Sequence, residues 1–220
     1  MQRLTDLREI LRYVPHFRDK TFVVALDGAV VAHDNFANLL LDIAVLRSLR
    51  IGVVLVHGAG WQIERLAQAA GQTPSNLDGA GVTDAATLEL ALTAANRVTH
   101  EILTGLTTVD LRGAAVNALV AHPAGILQGV DQQFTGRVER VDVGLLQSLL
   151  ERDVVPVLPP LGWDGEGHTY RLNSDVAAAE VAIGLRAVKL IYLAADAGIE
   201  RDGESVRQLS VDEAELYLRQ

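Results

Sequence analysis

Two β-branched runs, each ending in a glycine-bearing turn, constrain this chain more than any other feature. Val23-Val24-Ala25-Leu26-Asp27-Gly28 is the first, and Val53-Val54-Leu55-Val56-His57-Gly58-Ala59-Gly60 follows about thirty residues later. Short apolar runs of this kind fit strands buried on both faces. A turn leading from such a strand into a helix presents unpaired backbone N–H groups, which is how α/β proteins hold anions. The first turn is unusual for that task. It carries Ala25 and Asp27 where phosphate chemistry would want a cation and a second glycine.

The rest of the chain alternates in the same way. Leu4, Leu7, Ile10, Leu11 and Val14 predict an amphipathic helix over residues 3–16, ahead of strand Thr21–Leu26. Helix Asn35–Leu49 follows, with Leu39, Leu40, Ile43, Leu46 and Leu49 on one face, then strand Gly52–Val56. Helix Trp61–Ala70 is ended by Gly71 and Pro74. Thr83-Asp84 opens an Ala-rich helix to about Thr107, and Ala115–Val120 reads as a strand. Gln132–Val141 is polar and contains glycine, which predicts a hairpin at a sheet edge.

Asp142 caps helix Val143–Glu151. Val154–Leu158 is an apolar strand closed by Pro159-Pro160, and Trp163–His168 is a turn-rich tip. Ser174-Asp175 opens a helix to Gly184, Ala187–Leu193 is a strand, Asp196–Gly203 a loop and Asp212–Leu218 a last helix. The alternation predicts a three-layer αβα sandwich with a mostly parallel central sheet. One domain over 1–220 is expected, with 1–19 as a helical extension.

Composition narrows the function classes. With 220 residues, 49% of them hydrophobic, the chain can bury a full core as one domain. A net charge of −9 argues against nucleic acid as a partner. Lys20 and Lys189 are the only lysines, so a mechanism that needs one has two candidates. Without cysteine there are no disulfides, no thiolate chemistry and no zinc–sulfur site, and no metal-ligating residues are assigned. No secretory signal and no membrane-spanning window occur, so a cytoplasmic protein without a membrane partner is expected.

Taken alone, each motif has an ordinary structural explanation. His57-Gly58-Ala59-Gly60 is either a ligand turn or a plain strand-to-helix turn. No Gly-Lys-Ser/Thr follows it, so it is not a nucleotide P-loop, and neither glycine turn fits Gly-x-Gly-x-x-Gly. Asp27 reads as a turn residue and Ser174-Asp175 as a helix cap. His33, His57 and His100 have no sequence partner and read as surface or turn histidines.

In combination the segments say more. In order they are Tyr13-Val14-Pro15-His16-Phe17-Arg18-Asp19-Lys20-Thr21-Phe22-Val23-Val24, Val56-His57-Gly58-Ala59-Gly60, Val82-Thr83-Asp84, Thr135-Gly136-Arg137-Val138-Glu139-Arg140-Val141-Asp142, Val154-Val155-Pro156-Val157-Leu158-Pro159-Pro160-Leu161-Gly162 and Asn173-Ser174-Asp175. Together they resemble the amino acid kinase family, and within it the N-acetylglutamate kinase and synthase branch, over essentially the whole chain. The resemblance implies the fold of that family in a C-terminally short form, and hexamer-type assembly through the helix before Tyr13. It also implies a reaction: transfer of the γ-phosphoryl of ATP, with Mg²⁺, to the side-chain carboxylate of N-acetyl-L-glutamate.

By the same resemblance, Asp175 is the organising carboxylate. Gly58, Ala59, Gly60, Gly81, Arg171 and Asn173 fall at substrate positions, and Gly28, Ala195, Asp196 and Gly198 at nucleotide positions. Departures from the pattern cluster at these places. The catalytic lysine of Lys-x-Gly-Gly is Ala25, and Asp27 replaces the first of those glycines. Ala59 interrupts a glycine triplet, Gly81 stands where an arginine would hold the α-carboxylate, and Ala195 replaces a polar residue.

The family's second lysine would lie beyond the equivalent of Leu218, so neither lysine is expected. Loss of one transition-state donor typically costs about 10³ in rate. The expectation is therefore a degenerate kinase domain of the arginine pathway, binding N-acetylglutamate or arginine as in acetylglutamate synthases. It is expected to form a homo-oligomer and to partner an acetyltransferase. ATP and Mg²⁺ would enter only in the alternative of an active kinase. A purely structural oligomerisation module is the third reading.

Overall fold

The computed structural model describes residues 15–195, 198, 200–201, 204–206 and 208–218. Most of the helix expected over 3–16, and Asp196, lie outside them. Five parallel strands form the central sheet: β1 (Thr21–Leu26), β2 (Gly52–His57), β3 (Arg112–Ala115), β8 (Val154–Leu158) and β11 (Lys189–Leu193). Their order across the sheet is β11-β1-β2-β8-β3. Strict two-residue alternation divides each inner strand between two cores.

Val24, Leu26, Val53 and Leu55 face one side. There they meet the first three long helices, α2 (Phe36–Ser48), α3 (Gly60–Ala70) and α4 (Ala85–Thr107), which follow the short α1 (Gly28–Val31). Val23, Ala25, Val54 and Val56 face the other side. That side is covered by α5 (Val143–Leu150), by α6 (Ser174–Leu185) and by a second sheet. The second sheet has the order β10-β9-β4-β7, built from β4 (Leu119–Pro123), β7 (Gly136–Val141), β9 (Leu161–Trp163) and β10 (Thr169–Arg171). Burial of both faces explains the unbroken apolar runs of β1 and β2. The expected αβα sandwich with a mostly parallel sheet is therefore the observed architecture.

Caps define the helix starts. The Asp84 and Asp142 carboxylates accept from Thr87 N and Leu145 N, as read from sequence. Gly71, at φ 64°, closes α3 in the left-handed conformation. α7 (Val211–Leu218) ends the described chain. Among the described residues, no helix is long and apolar enough to cross a membrane.

Two expectations need correction. Ala115–Val120 is not one strand. Its first residue ends β3, paired with β8, and Leu119–Val120 belong to β4 in the second sheet. The chain changes sheets at Val116–Ala118, where Asn117 interrupts the apolar run. Gln132–Val141 is not a hairpin either. The turn lies earlier, where β5 (Ile126–Leu127) meets β6 (Val130–Asp131) through Gln128 at φ 50° and Gly129 at φ 81°. Two successive left-handed residues make the tight turn that matches strand twist, and β7 is the long edge strand returning along β4. β12 (Glu200–Arg201), inside the expected Asp196–Gly203 loop, pairs with β13 (Glu204–Ser205) just after it.

Candidate functional site

The C-terminal ends of the parallel strands open onto a cleft of about 490 Å³. Parallel α/β sheets place ligands at this end, because the turns there lead to helix N-termini. Ala25, Asp27 and Ala29 come from the first turn, and Gly58, Ala59, Gly60 and Trp61 from the second. Leu77 and Asp78 form one wall, Arg171 to Asp175 another, and Tyr192 to Ala194 the end of β11.

Local bonds bring the two turns together. Gly58 N donates to Leu26 O at 2.8 Å, and Asp27 N to Leu193 O at 2.9 Å. Asp27 is the cap of α1, its carboxylate accepting from Ala29 N at 3.1 Å. The second turn is tight because α6 stands over it. A Cβ on Gly58 would lie 3.1 Å from Ser174 Oγ, and one on Gly60 would lie 3.0 Å from Leu77 O. Of the two alternatives read from sequence, surface or turn, His57 is the turn histidine with both ring nitrogens satisfied, and not a surface one. It is wholly buried, with Nε2 2.8 Å from Thr99 Oγ1 and Nδ1 3.0 Å from the Gly58 carbonyl. His33 and His100 are exposed as expected.

The segment Arg171-Leu172-Asn173 does three jobs. Leu172 is buried in the second core. Asn173 caps α6, its Oδ1 accepting from Asp175 N and Val176 N, while its Nδ2 donates to Asp78 O at 3.1 Å. The cap is thus Asn173 rather than Ser174-Asp175, and the Asp175 carboxylate is left to line the cleft. Arg171 is 2% exposed, and its guanidinium donates to the Asn76 carbonyl at 2.9 Å, to Asn76 Oδ1 at 3.0 Å and to Leu77 O. Burial lowers its pKa to about 10, against the attraction of Asp78.

Asn76 is the hub of this wall. It accepts from Gly79 N, and its Nδ2 donates to Gly81 O, Val82 O and Thr83 Oγ1. Thr135 Oγ1 donates to Gly81 O at 2.5 Å. The loop from Asn76 to Gly79 is therefore a fixed strap across the cleft, with Asp78 on its inner side. Asp175 is raised above the ordinary carboxylate range by desolvation first, then by Asp27 and Asp78. Tyr192, whose hydroxyl donates to Asp175 O at 3.1 Å, is raised by desolvation and by Asp175.

Of the residues singled out in the sequence, Ala25, Gly58, Ala59, Gly60, Arg171, Asn173 and Asp175 line this cleft. Gly28 lies behind its wall, between Asp27 and Ala29. Gly81 faces Thr135 and Asn76 instead. Ala195 lines an adjoining pocket of about 320 Å³ with His33, Phe36 and Leu39, which shares Ala29, Leu193 and Ala194 with the cleft. Gly198 is exposed at φ 97°, and Asp196 is outside the described residues. Lys20 and Lys189 are both away from the cleft, Lys189 over the Phe17 ring at 5.8 Å. Sequence reading missed Asp78, Asn76 and Gln62. The Asn-Leu-Asp-Gly turn composition of residues 76–79 was the available signal for the first two.

The amino acid kinase family model matches residues 20–218. The chain belongs to the amino acid kinase family. Within the family it is 38% identical, over 224 residues, to an amino-acid acetyltransferase of Pseudomonas fluorescens, a match covering 97% of this chain and 52% of that enzyme. An acetylglutamate kinase of Pseudothermotoga lettingae is 33% identical over 228 residues, which is 100% of this chain and 80% of the kinase. N-acetylglutamate synthase from Neisseria gonorrhoeae, solved with coenzyme A and N-acetyl-glutamate, superposes with a TM-score of 0.88 at 33% identity, covering 97% of this chain and 50% of the synthase. The chain thus spans about half the length of the amino-acid acetyltransferases it matches.

Proposed function

We propose that this chain is a kinase-fold domain of the arginine pathway that binds an acidic amino-acid ligand, N-acetyl-L-glutamate, without transferring phosphate. The charge of the cleft carries the second half of this reading, the absence of phosphoryl transfer, while the ligand class rests on similarity to relatives. Asp27, Asp78 and Asp175 line it, and Arg171 is its only Lys or Arg among the described residues. Three donor contacts from that guanidinium are already spent on the strap. At about 4 Å, a carboxylate repels a unit charge on a phosphate by about 1 kcal/mol in water and about 4 kcal/mol in a protein cleft. The phosphate oxygens of a nucleotide are therefore opposed by these carboxylates, and Ala25 supplies no ammonium to neutralise the transferring group.

Similarity to amino-acid acetyltransferases and to a synthase solved with N-acetyl-glutamate supports the ligand class and an acetyltransferase context. Arginine is the second candidate ligand. The match to an acetylglutamate kinase over 80% of its length favours the rival reading of an active enzyme. One experiment separates them: purified protein with Mg·ATP and N-acetyl-L-glutamate, acyl phosphate trapped with hydroxylamine, and binding followed by calorimetry. Binding without turnover is expected. Turnover above about 1 per second, near the low end of ordinary enzymes, refutes the proposal. A Gly60→Asp variant abolishes binding on either ligand reading, whereas on the assembly-module reading it leaves the oligomeric state of the folded protein as in wild type.

A further inference from the structure

The first turn of α3 carries a residue that joins the two glycine turns from behind. Gln62 is 7% exposed, and its Nε2 donates to the Gly28 carbonyl at 2.8 Å. Its Oε1 is buried and has no donor among the described residues. That oxygen lies 2.1 Å from where a Cβ on residue 28 would stand, and the Cα of Ala59 lies 3.2 Å from the same point. Residue 28 is not among the left-handed glycines. Its glycine is required for space, and Gln62 occupies that space.

A buried carbonyl oxygen left without a donor costs stability, and an apolar side chain of equal length would avoid the cost. The amide must therefore do something an apolar side chain cannot. It engages the Gly28 carbonyl from the α3 side while its bulk fills the gap between the turns. Asp27 and Ala29 are thereby left on the cleft side, opposite Gly58, Ala59 and Gly60.

We propose that Gln62 is a positioning residue that sets the separation of the two glycine turns, and with it the width of the ligand cleft. The proposal rests on the ligand-binding reading above only for the identity of the ligand.

Gln62→Met keeps the length of the side chain and removes both the bond and the unpaired oxygen. Amide hydrogen exchange at Val30, Val31 and Ala32, whose N–H groups donate to Asp27 O and Gly28 O, should quicken at least about tenfold in this variant. The melting temperature should be unchanged or higher. Unaltered exchange at these amides overturns the proposal, and so does faster exchange spread through both cores with a lower melting temperature, the pattern of an ordinary packing residue.

A pair of variants tests the contact without relying on Met. Gly28→Ala should lower the melting temperature strongly in the wild-type chain and much less in a Gln62→Ala background; equal losses in both refute the contact. In calorimetry with N-acetyl-L-glutamate, Gln62→Met should bind about tenfold more weakly than the wild-type chain. If the wild-type chain does not bind that compound, the ligand reading fails, and the exchange result still decides the role of Gln62.

Discussion

Protonation of His57 should be the main acid sensitivity of this fold. The neutral ring with hydrogen on Nδ1 donates to the Gly58 carbonyl and accepts from the Thr99 hydroxyl, so both nitrogens are satisfied. Burial lowers the pKa from 6.5 to about 4, while the Gly58 bond acts the other way. The folded value lies below the unfolded one, so as pH falls the unfolded chain takes up the proton first. The stability associated with the neutral ring is therefore complete above pH 6.5. It declines below that value and is lost by about pH 4.

At about 1.4 kcal/mol per pH unit, the loss amounts to about 3 kcal/mol. For a chain of this size that corresponds to about 6–12 °C in melting temperature. Urea unfolding of wild type and His57→Gln between pH 7.5 and 4.5 reads the effect directly. Wild type should lose about 2–3 kcal/mol more than the variant over this window. Asp164, raised by desolvation but brought down to about 2 by bonds from Glu166 and His168, gives up its contribution only at lower pH. Asp175 shifts in the opposite direction. Both groups are present in both proteins and cancel in the comparison. Parallel pH profiles for the two proteins would refute the linkage to His57.

Three further outcomes are expected. Arg171→Met leaves the carbonyls of Asn76 and Leu77 without their donor and should cost about 3 kcal/mol in urea unfolding, with Arg171→Lys recovering only part because one ammonium cannot span both residues. Gly79→Ala should destabilise by about 2–4 kcal/mol, since its φ is 78° and a Cβ would lie 2.6 Å from Leu172 O, whereas Gly165→Ala, with open space at φ 80°, should cost only about 1 kcal/mol by thermal melting. Ala25→Lys combined with Asp27→Gly should tighten Mg·ATP binding at least about tenfold in a fluorescent-nucleotide titration, because it exchanges a carboxylate for an ammonium at the cleft; unchanged binding would argue that Asp78 and Asp175 alone exclude the nucleotide.

The parallel core was legible because burial on both faces writes itself as continuous β-branched runs at β1, β2 and β8. Helix starts at Asp84 and Asp142 were legible for a local reason, one carboxylate meeting an N–H three residues on. The change of sheet at Val116–Ala118 was not, since the one polar residue there, Asn117, also fits the alternation of a single continuous strand. The Gln128-Gly129 turn lacks the Asn-Gly or Asp-Gly pair that marks such hairpins, so it was placed too late in the chain. At the cleft, the two glycine turns could be found from the residues themselves, whereas the roles of Ala25 and Asp175 came from the resemblance to the amino acid kinase family. The strap could not be found, because Asn76 and Arg171 are 95 residues apart in the chain. The burial of His57 was not legible for a related reason: its partner Thr99 is 42 residues away.

The single segment Arg171-Leu172-Asn173 fastens the strap, fills the second core and caps α6. Substitutions at these neighbours will share partners, so their effects will not sum, and a double variant will behave unlike the total of its parts. An evolving sequence can then cross this stretch only by concerted replacement, with Asn76 or Asp78 changing in step.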